Sequence, residues 1–126
     1  MNLVLHAESF AICRMEPNTS MPLWAQGKFV SITRTLHELS VVCPQDHVPE
    51  TIYCERDWHM IQVEGSMDLS MVGVLAALTK PLAEAGINLF AMSTFDTDYL
   101  LVKAQKLEKA KQSLEKAGYT FTNNGY

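Results

Sequence analysis

Between Asp57 and Phe121 the spacing of apolar residues switches twice from a strand period to a helix period and back, and nothing else in the chain constrains its fold as tightly. Asp57 to Glu64 (Asp-Trp-His-Met-Ile-Gln-Val-Glu) alternates Trp58, Met60 and Gln62 against His59, Ile61 and Val63, the pattern of a strand with one buried face. Gly65-Ser66-Met67-Asp68 reads as a turn. Val72, Leu75, Leu78, Leu82 and Ala85 then recur at three- and four-residue steps, as on an amphipathic helix. Ser70 is the expected N-cap, because its hydroxyl can accept from an unsatisfied N–H of the first turn. Gly86 stands where a left-handed residue ends a helix. Pro81 lies inside the pattern; it deletes one backbone bond and crowds a carbonyl, which predicts a kink near Ala77. Ile87 to Phe95 and Tyr99 to Lys103 read as two strands joined by the short polar turn Asp96-Thr97-Asp98. Ala104, Leu107, Ala110, Leu114 and Ala117 mark a second helix closed by Gly118, and Tyr119-Thr120-Phe121 is a last short strand. The order is β-α-β-β-α-β, an α+β, ferredoxin-like plan.

The first half echoes this order with less helix. Phe10 to Met15, Phe29 to Thr33 and Glu38 to Val42 read as strands, Pro22 to Ala25 as one helical turn at most, and Pro44 and Pro49 bracket a loop. Ser31 to Val42 matches Ser93 to Val102 with one gap, which points to a duplicated unit whose first copy is eroded. The expected division is residues 1–57 for the degenerate unit and residues 58–126 for the complete one.

Composition narrows the function. With 126 residues, 48% hydrophobic and 19% charged, the chain can bury roughly two-thirds of its unfolded surface and needs neither metal nor disulfide to fold. A formal net charge of −4 argues against nucleic acid as a partner, since that binding rests on clustered basic charge. Cys13, Cys43 and Cys54 form no C-x-x-C pair and no Cys/His cluster at zinc spacing, so no metal or cofactor is expected. They read as free thiols packed in a reducing cytoplasm. The start of the sequence lacks the basic region of a secretory signal, and no apolar run approaches the ~20 residues that span a bilayer.

Two segments could carry chemistry. In Asp68-Leu69-Ser70-Met71-Val72-Gly73-Val74-Leu75 a loop turns into a helix. Either Gly73 lets a small anion approach bare N–H groups at the positive end of the helix dipole, or it lets the helix pack closely on the sheet. In Ser93-Thr94-Phe95-Asp96-Thr97-Asp98, either the carboxylates hold a ligand ammonium or they satisfy their own turn. Both loops leave the same edge of a βαβ unit, and anion and cation sites side by side suit a zwitterionic amino acid. His6, His37, His47 and His59 are scattered without a nucleophile at useful spacing, so no catalytic residue is assigned. Arg14, Arg34 and Arg56 sit in no anion-cradling loop, which disfavours a small acylphosphatase-like enzyme.

Residues 73–102 (Gly-Val-Leu-Ala-Ala-Leu-Thr-Lys-Pro-Leu-Ala-Glu-Ala-Gly-Ile-Asn-Leu-Phe-Ala-Met-Ser-Thr-Phe-Asp-Thr-Asp-Tyr-Leu-Leu-Val) resemble an ACT domain. They are similar in particular to the bacterial ACT proteins related to the eukaryotic CASTOR arginine sensors. Phe10 to Arg14, Ser31 to Thr35 and Glu38 to Pro44 resemble the same group. The resemblance implies tandem ACT-like units that pair side by side through their sheets, and a free amino acid bound at an interface between units; the chain itself reads as a homodimer through sheet edges or helix faces. Carried onto this chain, it implies that the backbone at Gly73, Val74 and Leu75 receives the ligand carboxylate and that Asp98 takes the ammonium. Thr94 and Phe95 would line the pocket, and Asp68 and Ser70 would lie near the ligand side chain. Many ACT domains carry Pro before the helix-start Gly, where this chain has Val72. Departures at Asp68 to Met71 leave the choice of amino acid open. A liganded sensor and a structural subunit with a lost pocket both remain compatible with these residues.

Overall fold

The computed structural model describes residues 1–65 and 72–122. Packing divides the chain into two compact units, Glu8–Trp58 and a second made of Met1–Ala7 with His59–Tyr126. The first seven residues therefore pack with the second half of the chain, where the division expected at 57/58 assigned them to the first.

The second-half unit contains residues 2–7 of β1 (Asn2–Met15) and residues 59–63 of β4 (Cys54–Val63). It continues through α1 (Val74–Glu84), β5 (Leu89–Ser93), β6 (Asp98–Lys103), α2 (Leu107–Lys116) and β7 (Thr120–Thr122). The β-α-β-β-α-β order is present, so the α+β, ferredoxin-like reading holds. One detail differs from the simple plan. The sheet runs β7-β1-β4-β6-β5, with β7 parallel to β1 through Asn2↔Thr120, Leu3↔Phe121 and Val4↔Thr122. The start of β1 thus stands between the first and last strands of the predicted unit. β5 and β6 form an antiparallel hairpin, from Leu89↔Val102 to Ser93↔Asp98.

The helices cover this sheet by the apolar stripes their spacing dictates. Leu78 and Leu82 of α1 and Ala110 and Leu114 of α2 are buried together with Leu3, Ile61, Val63, Ile87, Leu100 and Val102. Residues four apart fall on one helix face, so each pair reaches the same layer. α1 runs through Pro81, and the Ala85 N–H donates to the Pro81 carbonyl at 3.1 Å, closing the last turn. Beyond it Gly86 takes φ 72°, as expected for a helix terminator.

The start of α1 corrects one expectation. Ser70 lies outside the described residues, and the N-cap is Gly73, at φ 81° and ψ 1° in the left-handed region. A Cβ added at Gly73 would meet nothing within 4 Å. Close packing on the sheet is therefore not the reason for glycine here; the positive φ is. Gly73→Ala should cost about 1 kcal/mol from backbone strain alone. Urea unfolding should show a lower midpoint with unchanged slope; a midpoint equal to that of the parent chain would refute the strain argument.

In the first-half unit, β1 pairs antiparallel with β3 (Leu39–Pro44), from Phe10↔Pro44 to Met15↔Leu39. β3 in turn pairs antiparallel with β2 (Ser31–Arg34), from Ser31↔Val42 to Arg34↔Leu39. The Arg14 N–H donates to the Tyr53 carbonyl at 3.0 Å where the chain enters β4. This unit holds no α-helix; the loop between Pro44 and Pro49 folds into a 3-10 turn at Gln45–His47. That turn has no side-chain N-cap, and the Arg56 guanidinium ties it down by donating to the Gln45 and Val48 carbonyls, both at 3.1 Å. Asp57 adopts φ 67°. Its N–H donates to Gln45 Oε1 at 2.7 Å, and Gln45 Nε2 returns a bond to Asp57 Oδ1 at 3.1 Å. The unit buries Ala11, Cys13, Leu39, Val41, Cys43 and Val48.

Candidate functional site

The site expected from the sequence falls at one edge of the second-half unit, where β4 ends and the β5–β6 hairpin turns. A hairpin tip is held in shape by its own polar side chains. The Thr94 N–H donates to the Thr97 carbonyl at 2.9 Å, and the Thr97 N–H donates to Thr94 Oγ1 at 3.4 Å. The turn occupies residues 94–97, one or two positions earlier than Asp96-Thr97-Asp98 predicts. Thr97 is buried, and its hydroxyl donates to the Val63 carbonyl at 2.9 Å. That bond fixes the hairpin tip to the last residue of β4.

The same anchor places Asp98 at the first position of β6, next to the end of β4. Asp98 is only 9% exposed, and its Oδ1 accepts from the Ser93 hydroxyl at 2.5 Å across the last pair of the hairpin. A carboxylate kept from water needs such donors, because desolvation disfavours its charge. Asp96 is exposed at the tip. The two carboxylates that the sequence places side by side are therefore not equivalent, and only Asp98 is set into the unit.

α1 is the element that follows β4, so its start belongs to this edge. Gly73 takes no side-chain cap and no acidic residue stands in the first turn. The first regular bond of α1 is Ala77 N–H to the Gly73 carbonyl at 2.9 Å. Among the described residues, the N–H groups ahead of it, with the positive end of the helix dipole, have no capping side chain or acidic first-turn neighbour to offset them. Val74 and Leu75 are half-buried, Leu75 against the core. Val72 and Phe95 are exposed at 94% and 79%, large apolar side chains standing in solvent on the two segments that frame the edge.

Of the predicted residues, Thr94, Phe95 and Asp98 share one hairpin and Gly73, Val74 and Leu75 share one helix start. Asp68 and Ser70 lie outside the described residues. Ser93 and Thr97, small hydroxyl residues of the polar run without a separate role in the expected site, hold Asp98 and the hairpin tip. Both stand within the polar run Ser93–Asp98, and their placement opposite Asp98 and Val63 depends on strand register. A cavity of about 500 Å³ lies elsewhere, lined by Gln45, Asp46, Val48, Glu50 and Arg56. A smaller one of about 190 Å³ is lined by Gly86, Asn88, Lys103, Gln105 and Lys106, beyond the far end of α1. Among the described residues, no group of three or more His, Cys, Asp or Glu side chains is placed to hold a metal ion. No helix among them is long and apolar enough to cross a membrane.

Comparison with known proteins agrees with this architecture. Residues 53–116 match the ACT domain family, and residues 8–51 match a family described as an N-terminal domain. No protein of curated function matches the sequence. A protein of Agobacterium tumefaciens of solved structure is 35% identical over 99% of this chain and 94% of its own, with a TM-score of 0.92. A Vibrio cholerae protein described as of unknown function and a possible transport protein is 19% identical, over 92% of this chain and 88% of its own, at a TM-score of 0.74. The regulatory subunit of aspartate kinase from Thermus flavus is 13% identical, over 93% and 97%, at 0.67. The last two likenesses show the fold alone. With the family match covering the helix start and the hairpin, this chain belongs to the ACT domain family.

Proposed function

We propose that this chain is a non-enzymatic regulatory protein that binds a free amino acid at the α1 start and the β5–β6 hairpin. The observation that carries the reading is the buried Asp98, locked beside the end of β4 by Thr97 and Ser93, on the same edge as an uncapped helix start. The helix-start amides suit a carboxylate and Asp98 suits an ammonium, so the edge complements a zwitterion. The exposed Val72 and Phe95 support a ligand enclosed between two ACT units, with Asp68 and Ser70 toward its side chain, in a cytoplasmic homodimer. In this reading the unit Glu8–Trp58 is an ACT-like copy that has lost its helices. The fold shared with a regulatory subunit of aspartate kinase supports a regulatory role. Kinship with the arginine-sensor group rests on the Ser93–Asp98 stretch, and the ligand's identity is left to experiment.

Calorimetric titration with each of the twenty amino acids at millimolar concentration tests the proposal. One or a few should give heat and raise the melting temperature; a hundredfold excess over Kd adds about 2.7 kcal/mol to stability. Absence of heat with all twenty overturns it. The short Ser93–Asp98 bond favours a second reading, in which Asp98 closes the hairpin and the chain acts as an assembly subunit.

A further inference from the structure

We infer that Cys13 and Cys54 form a redox pair that closes to a disulfide when Cys54 is oxidised by a peroxide. All three cysteines lie in the first-half unit, far apart in sequence and together in space. The Arg14 N–H to Tyr53 carbonyl bond sets residue 14 opposite residue 53. Residues 13 and 54 then face each other at the neighbouring position of the antiparallel pair, on one face of the sheet. Such non-hydrogen-bonded pairs bring Cα atoms to about 4.5 Å, inside the roughly 4.4–6.8 Å that a disulfide spans. Cys54 lies close enough to Cys13 to help hold the Cys13 thiol protonated, after the larger effect of burial.

Cys43 lies opposite Ala11 on β3 and packs in the same apolar cluster, close enough to Cys54 to feel its charge. It faces Cys54 less directly than Cys13 does. Burial separates the roles. Cys13 and Cys43 are shielded from solvent, while Cys54 is half-exposed. Burial pushes the Cys13 thiol up to about 12 and the Cys43 thiol to about 11, so both stay protonated at neutral pH. Cys54 is the thiol a dissolved oxidant meets first.

The chemistry closes with a peroxide as the only co-reactant. The Cys54 thiolate attacks a peroxide oxygen; the O–O bond breaks, hydroxide leaves, and Cys54 becomes a sulfenic acid. The Cys13 sulfur then attacks Cys54 Sγ, breaking the S–O bond. The hydroxyl departs with the Cys13 proton as water. Two thiols lose two electrons and two protons, and one hydrogen peroxide becomes two waters.

The folded full chain, treated with stoichiometric hydrogen peroxide, alkylated and digested without reductant, tests this. A glutamyl-specific protease cutting after Glu8, Glu16, Glu38, Glu50 and Glu55 puts each cysteine on its own peptide. The expected product joins the Cys13 and Cys54 peptides, two hydrogens lighter than their sum and split by dithiothreitol. It should also form in Cys43→Ala. In Cys13→Ala, dimedone should trap Cys54 as the sulfenic acid. Should that variant fail to fold, Cys54→Ser serves instead, and Cys13 should stay unmodified at peroxide doses that link the parent chain. A principal link through Cys43, or Cys54 oxidised in the parent chain with no link to Cys13, overturns the inference.

Discussion

Replacing Leu82 with alanine is expected to remove about 2–5 kcal/mol of stability, the range for a large side chain deleted from a packed core. Leu82 is 0% exposed, on the face of α1 that meets Ile61, Val63, Leu100 and Val102 across the sheet and Leu114 on α2. The lost methyl groups cost their transfer free energy, and helices fixed on five strands cannot close the gap they leave. A domain of this size holds about 5–15 kcal/mol in all, so the change removes a large share. Leu82→Met, which conserves volume, should cost less than about 1.5 kcal/mol. Urea unfolding of both variants measures the difference, and an alanine variant within 1 kcal/mol of the parent would contradict the packing described for this unit.

The second large effect concerns Asp98. Asp98→Asn keeps an oxygen to accept from Ser93 and removes the charge; Asp98→Ala removes both. If the carboxylate holds a ligand ammonium, both variants should weaken amino-acid binding by about 2 kcal/mol or more, roughly 30-fold in Kd. Without ligand, only the alanine variant should melt lower, because only it leaves the Ser93 hydroxyl without its acceptor. Calorimetry and melting curves on the two proteins separate the outcomes. Full ligand affinity in Asp98→Asn would show that the charge plays no part in recognition.

How far these elements could be read from sequence depended on how many faces each one buries. α1 and α2 expose one face, so their three- and four-residue spacing located both within two or three residues. β4 alternates and was legible from Trp58 onward, though it begins at Cys54. The start of β1 was not legible. Leu3 and Val4 are both buried, Leu5 is partly buried and His6 is buried, so residues of both parities face inward and no alternation survives. The helix start was legible as a place and misread in detail. Gly73 was visible, yet its left-handed cap depends on a φ value that no spacing encodes. The site's polar run was equally plain, but which of Asp96 and Asp98 turns inward follows from the register Ser93↔Asp98. Register is a property of two strands together and cannot be seen in either one.

The pairing of β7 with the start of β1 has a bearing on how the second-half unit assembles during synthesis. Thr120 and Asn2, joined by a side-chain bond at 2.8 Å, are 118 residues apart in sequence. Contacts of such long range close late, since the loop entropy must be met before they reward the chain. A ribosome delivers residues 2–7 well before the strand that borders them. Until then one side of β1 offers unpaired backbone groups to any neighbouring nascent chain, the setting in which strand exchange between copies begins.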